Sequence, residues 1–128
     1  MLPFTAVHHV AIICTDLEAA KQFYVDKLGF TVLRETHRAD RNDCKLDLKL
    51  GDMELELFVK PDAPARPSYP EACGLRHLAF RVADVPAAVE ALKARGIPCE
   101  AIREDDVTGG KMTFFQDPDG LPLEIHEG

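Results

Sequence analysis

The chain predicts an α+β fold of two tandem β-α-β-β-β modules, and three observations carry that prediction. A single shift of 68 residues carries His9-Val10-Ala11 onto His77-Leu78-Ala79, Asp16 onto Asp84, and Glu56 onto Glu124. Within each half, a strand-like run, a capped stretch at helical spacing and segments of period-two alternation follow in the same order. Between the halves, Pro61, Pro64, Pro67 and Pro70 fall at every third position. A half of about 60 residues would be marginal alone, so the two are expected to share one core in a single domain, 1–128. Module one spans about 5–60, the linker about 61–74 and module two about 75–128.

The elements follow in order. Residues 7–14 read as a strand, with His9, Ala11 and Ile13 on one face and Val10, Ile12 and Cys14 on the other. Thr15-Asp16-Leu17-Glu18 has the spacing of a capping box and opens a helix. Leu17, Ala20, Phe23, Tyr24 and Leu28 recur at helical spacing, and Gly29 is placed to end it. Residues 30–38 form a second strand and 39–43 a polar loop. Residues 45–50 alternate cleanly, as a half-buried strand does, and Gly51-Asp52 turns them into a strand over 53–59. There Leu55, Leu57 and Val59 oppose Glu54, Glu56 and Phe58.

The proline spacing favours polyproline II, and a stiff strap between modules is preferred to a Pro-x-x-Pro ligand for another protein. Residues 76–82 then form a strand. Asp84 caps a helix with Pro86 in its first turn, Val89, Leu92 and Lys93 continue it, and Gly96 ends it. Strands are expected over 98–104, 111–116 and 121–127, with a turn at Asp117-Pro118-Asp119-Gly120. Gly109-Gly110 is expected to make a flexible loop over a cleft.

The net charge of −7 argues against nucleic acid and anionic membrane surfaces as partners. There is no apolar run long enough to span a membrane. Met1 to His8 lack the basic region and cleavage site of a signal peptide, which predicts a cytoplasmic protein. Cys14, Cys44, Cys73 and Cys99 form no Cys-x-x-Cys, and free thiols in a reducing compartment are preferred to a disulfide or zinc–thiolate role.

Four residues stand out as metal ligands: His9, Glu56, His77 and Glu124. His9 and His77 share a parity opposite the apolar faces that meet the helices, and Glu56 and Glu124 oppose Leu55/Leu57 and Leu123/Ile125. A sheet with one face under helices and polar groups on the other describes a cleft. Carboxylates in mid-strand need a partner there, because an unpaired buried charge costs several kcal/mol. A divalent cation would satisfy four such groups at once. His8 competes with His9 for the first position, His126 is a weaker candidate, and His37 lies outside the pattern. No nucleophile elbow or cysteine with a placed base supports covalent catalysis.

The repeat resembles the vicinal oxygen chelate superfamily, in which paired β-α-β-β-β modules form a cup-shaped sheet around a metal. His9-Val10-Ala11, Asp16-Leu17 and Phe23-Tyr24-x-x-x-Leu28-Gly29-Phe30 are similar to its opening. Gly74-Leu75-Arg76-His77-Leu78-Ala79-Phe80 and Asp117-Pro118-Asp119-Gly120-x-x-x-Glu124 are similar to its second half. The nearest likeness is to glyoxalase I and its small YaeR-type relatives, whose Pro-Glu-Ala-Cys-Gly-Leu-Arg-His-Leu-Ala-Phe segment corresponds to Pro70 through Phe80.

Ligand count separates the family's chemistries. A carboxylate at Glu56 in addition to His9, His77 and Glu124 implies proton transfer in a glyoxalase I-like lyase or isomerase. The resemblance implies an α-hydroxycarbonyl or hemithioacetal substrate, one divalent ion (nickel, zinc, manganese or cobalt), an enediolate, and Glu124 or Glu56 as the proton carrier. Another metalloenzyme of the family, such as a dioxygenase, and a non-catalytic metal or small-molecule binding protein are the alternatives. Ile13 and Lys60 stand where glutathione-using relatives carry arginine and asparagine, so the thiol anchor is absent or rebuilt. Arg38, Lys45, Lys49 and Arg81 are candidates for rebuilding it, Arg81 first. The family's habit of building the cup across two chains implies a homodimer.

Overall fold

Both halves of the chain pair their first strand with their last, in parallel, and hang the other two strands beyond it. The computed structural model describes residues 2–41 and 43–128. They form two compact units, the first ending at Pro64 and the second beginning at Ala65, so the boundary falls inside the proline-rich stretch.

In the first unit the strands are β1 (His9–Cys14), β2 (Thr31–Arg38), β3 (Asp43–Leu50) and β4 (Met53–Val59), in the order β1-β4-β3-β2. In the second they are β5 (Leu78–Val82), β6 (Arg103–Glu104), β7 (Lys111–Gln116) and β8 (Pro122–Glu127), in the order β5-β8-β7-β6. The repeat extends to register: Val10 faces Leu55 and Ala11 faces Glu56, as Leu78 faces Leu123 and Ala79 faces Glu124. This is the predicted α+β architecture, with a four-stranded sheet in each module.

A helix connects β1 to β2, which run in the same direction at opposite edges of the sheet, so the chain must cross back over it. It starts as α1 (Leu17–Ala20) and continues as a wider π-helical turn over Lys21–Lys27. Asp16, rather than Thr15, caps it: its carboxylate accepts from the Ala19 amide at 3.0 Å. The π turn shows in the Leu28 amide bonding the Phe23 carbonyl five residues back. The smaller rotation per residue lets the consecutive Phe23 and Tyr24 both turn inward, and both are buried. In the second unit α2 (Val85–Ala94) is capped by Asp84 as expected, with the Ala87 amide at 2.9 Å. Gly29 and Gly96 follow the two helices with φ of 85° and 78°, the left-handed conformation that ends a helix.

Strand parity sorts each sheet. Ile12, Cys14, Leu46, Leu48, Leu55 and Leu57 are buried in the first unit, Leu123 and Ile125 in the second. Three expectations need correcting. The strand expected over 98–104 is reduced to Arg103–Glu104. Pro98 has no amide to donate, and the preceding segment is held by isolated bonds, from the Glu100 amide to the Phe114 carbonyl and from Thr113 Oγ1 to the Glu100 carbonyl. The strand expected over 76–82 begins at Leu78, leaving His77 just ahead of it. The Gly109-Gly110 loop is not a slack one. Asp105 Oδ1 accepts from the Val107 and Thr108 amides, and a Cβ on Gly110 would lie 2.9 Å from the Glu127 carbonyl oxygen. Gly110 answers a close backbone approach rather than a need for mobility.

The β2–β3 hairpin is clamped near its turn. Asp43 accepts a bidentate pair from Arg38, at 2.7 and 2.6 Å, and a third bond from Lys60 at 3.0 Å. The Arg38 hydrogen bonds, aided by Lys60, pull the Asp43 carboxyl down to about 2. A folded-state pKa below the unfolded one adds stability above about pH 4, and that stability is lost as pH falls through about 2. Asp43→Asn should therefore unfold at lower urea than the wild type at pH 7, with the gap narrowing as pH falls from about 4 towards 2.

Candidate functional site

Each unit brings together one of the predicted histidines and one of the predicted glutamates. In the first unit, His9 opens β1 and Glu56 sits mid-strand in the neighbouring β4, on the face opposite Leu55 and Leu57. His9 Nε2 lies 3.4 Å from Glu56 Oε2. In the second unit, His77 Nε2 lies 3.0 Å from Glu124 Oε1, and Glu124 is buried.

The surroundings of the two pairs differ. Lys45 Nζ lies 3.2 Å from Glu56 and 3.4 Å from Asp47, and Arg34 Nε lies 2.8 Å from Asp47. Asp47 is fully buried and faces Glu56 across the β3–β4 ladder. Glu124 has Phe114 as its cross-strand neighbour. The Phe114 ring meets His77 edge to face at 5.0 Å, and the Arg103 guanidinium lies over that ring at 5.3 Å. His77, Phe114, Arg76, Arg103 and Tyr69 line a cleft of about 220 Å³ within the second unit.

The donor set suits a divalent ion. Two ligands at right angles on a metal, with bonds of about 2.1 Å, lie about 3 Å apart. The separation of His77 Nε2 from Glu124 is of that size. Among the described residues His77 Nδ1 is buried without a hydrogen-bond partner, so packing against Phe114, rather than a second hydrogen bond, sets the ring's direction.

The remaining candidates sort clearly. His8 is exposed; its Nδ1 lies 2.9 Å from that of His9, so it leans on the candidate ligand. His126 is engaged: Nδ1 bonds the Glu127 carbonyl and Nε2 lies 3.4 Å from Asp105. The Glu127 carbonyl first, and Asp105 second, raise its pKa. Lys60, at one of the departing positions, is committed to Asp43. Ile13, at the other, is left more than half exposed. Arg81 is exposed and pairs in register with His126. The arginines lining the cleft are Arg66, Arg76 and Arg103, which sequence reasoning did not select. Parity could have found Phe114, because it opposes Glu124 in the β7–β8 register.

Comparison with known proteins identifies the family. The Glyoxalase/Bleomycin resistance protein/Dioxygenase superfamily matches over residues 6–125. The chain belongs to this superfamily. It is 54% identical to the uncharacterized protein YaeR of Escherichia coli (strain K12), over 99% of each chain. Among solved structures, the glyoxalase family protein from Enterococcus faecalis superposes with a TM-score of 0.95 at 60% identity, covering 98% of this chain and 100% of that one. A 2-epi-5-epi-valiolone epimerase from an Actinomyces species is 32% identical over 94% of this chain and 78% of its own. Among the described residues of this superfamily member, no helix is long and apolar enough to cross a membrane.

The buried Asp47 gives a test of the polar face in the first unit. Arg34→Met should lower stability by about 1–3 kcal/mol in urea unfolding. The loss stays below that of a wholly buried pair because the arginine is 61% exposed.

Proposed function

We propose that this chain is a metal-dependent lyase or isomerase of the glyoxalase I type, moving a proton on an α-hydroxycarbonyl or hemithioacetal. The observation that carries the reading is the pair made twice: a strand histidine beside a strand glutamate, at 3.4 Å in one unit and 3.0 Å in the other. The superfamily membership and the epimerase relative support it. His9, Glu56, His77 and Glu124 would hold one nickel, zinc, manganese or cobalt ion, in a homodimer that brings the two pairs together. When bound, that ion supplies Lewis-acid polarisation of the substrate carbonyl.

The protein's own groups divide the remaining work. Glu56 is tied to the Lys45 ammonium and stays in place as a ligand. Glu124, beside an imidazole and an aromatic ring, takes the α-proton, holds it as a carboxylic acid and returns it to the neighbouring carbon. The cleft beside His77 seats the substrate, with Arg76 and Arg103 facing its oxygen-rich end and Phe114 excluding water. Exposed Ile13 and the engaged Lys60 leave no copy of the usual glutathione contacts, so the thiol carried by a hemithioacetal is a different one or none.

Metal content of the purified protein by mass spectrometry tests the reading first. Glu56→Gln and His77→Ala are each expected to lose about one divalent ion per chain relative to the wild type. Hemithioacetals made from several thiols, together with α-hydroxycarbonyl epimers, then serve as substrates, and Glu124→Gln should lower kcat by about 10²–10⁴-fold. No metal after reconstitution, or the same metal in both variants, would sink the enzyme reading. Stoichiometric ligand binding without turnover would identify a binding protein instead.

A further inference from the structure

The first sheet carries a second set of metal-ligating side chains on its other face. His37 in β2 and Cys44 in β3 are direct cross-strand partners, and Glu35 lies two residues before His37 on the same face. One ligand atom from each of Glu35, His37 and Cys44 lies within 4.8 Å of the others. His9 and Glu56 belong to the opposite parity of this sheet, the one that includes Lys45 and Asp47. Cys44 is buried and points to the helix side with Leu46 and Leu48, while Glu35 and His37 are exposed at the edge strand.

We propose that Glu35, His37 and Cys44 form a second metal site, selective for a borderline ion of the zinc class. A sulfur, an imidazole nitrogen and a carboxylate oxygen make a donor set that magnesium and calcium do not favour and that zinc and cobalt do. Three protein donors at a sheet edge leave one position for water, as in an exchangeable site rather than a closed structural one.

The cluster already attracts positive charge. Lys21 Nζ lies 2.9 Å from Glu35 Oε1, and His37 Nε2 lies 2.7 Å from Glu35 Oε2. An entering ion would displace the lysine, which is partly exposed and free to turn to solvent, and part the His37–Glu35 contact to sit between them. As the sulfur–metal bond forms, the Cys44 thiol proton leaves to water, so a thiol and a divalent ion give a thiolate complex and one proton.

Cobalt(II) is the probe, because thiolate coordination gives it a near-ultraviolet charge-transfer band that nitrogen and oxygen donors do not. The set His9, Glu56, His77 and Glu124 contains no sulfur, so this band is blind to the site proposed above, and the outcome here is independent of it. Cobalt(II) titrated into the full chain, with its thiols kept reduced, should raise the band to saturation within two ions per chain, one of them taken up silently by the oxygen–nitrogen set, and zinc should bleach it. Cys44→Ser should abolish the band. His37→Ala, a change at an exposed side chain that leaves the fold intact, should weaken cobalt binding at least tenfold. Absence of the band in the wild type, or a band unchanged in either variant, would overturn the proposal.

Discussion

The parallel pairing of each module's first strand with its last is the constraint on which the rest depends. Parallel neighbours cannot be joined by a tight turn, so a helix must cross over one face of the sheet. That face then has to be apolar, and the other is free to carry histidines and carboxylates. A slip of one residue would turn Leu55, Leu57 and Val59 outward and bury Glu54 and Glu56 beneath the helix. The apolar residues of β4 therefore hold the glutamate in position as firmly as any hydrogen bond does. The same argument fixes Glu124 between Leu123 and Ile125 in β8.

One backbone, used twice, carries two different electrostatic settings. Against Glu56 the third strand places Asp47, with Lys45 reaching across to both carboxylates. Against Glu124 the corresponding strand places Phe114. The first glutamate is held in a network of full charges, the second beside an imidazole, with an aromatic residue across the ladder. A network of alternating charges resists rearrangement, because each ion's loss leaves another unpaired. A carboxylate with a single imidazole partner is freer to change partners. This physical difference, rather than the symmetry of the repeat, gives the two glutamates separate parts in the proposed chemistry.

Legibility in the sequence followed the same physics. Strands β4 and β7 were readable to the residue, because period-two alternation ends where one face stops being buried. The His–Glu pairs were readable too, since a repeat that keeps one offset reports a shared geometry. The π-helical turn was not readable, because Phe23 and Tyr24 fit an ordinary helical stripe equally well until their joint burial is seen. Nor was the short β6, where bonds to β7 by way of Thr113 replace a regular ladder. Glu35, His37 and Cys44 were hidden for a third reason. Their approach depends on the antiparallel register set at the hairpin turn, and neither the spacing of these residues nor the 68-residue repeat encodes it.

The two donor sets on the first sheet also follow from where each residue type is tolerated. A cysteine behaves as a small apolar side chain, so it can sit under a helix beside Leu46 and Leu48 without needing a polar partner. A carboxylate in that place would need a paired charge, and the fold keeps Glu56 and Asp47 on the other side. Strand parity therefore puts the sulfur donor on the helix-covered face, with Glu35 and His37 at that face's exposed edge, and keeps Glu56 and His9 on the open one. Under the two proposed assignments, an ion that prefers oxygen and nitrogen would find Glu56 and His9, and one that accepts sulfur would find Cys44 with Glu35 and His37. Two chemically distinct sites can share one sheet because a β-strand keeps its two faces apart at every second residue.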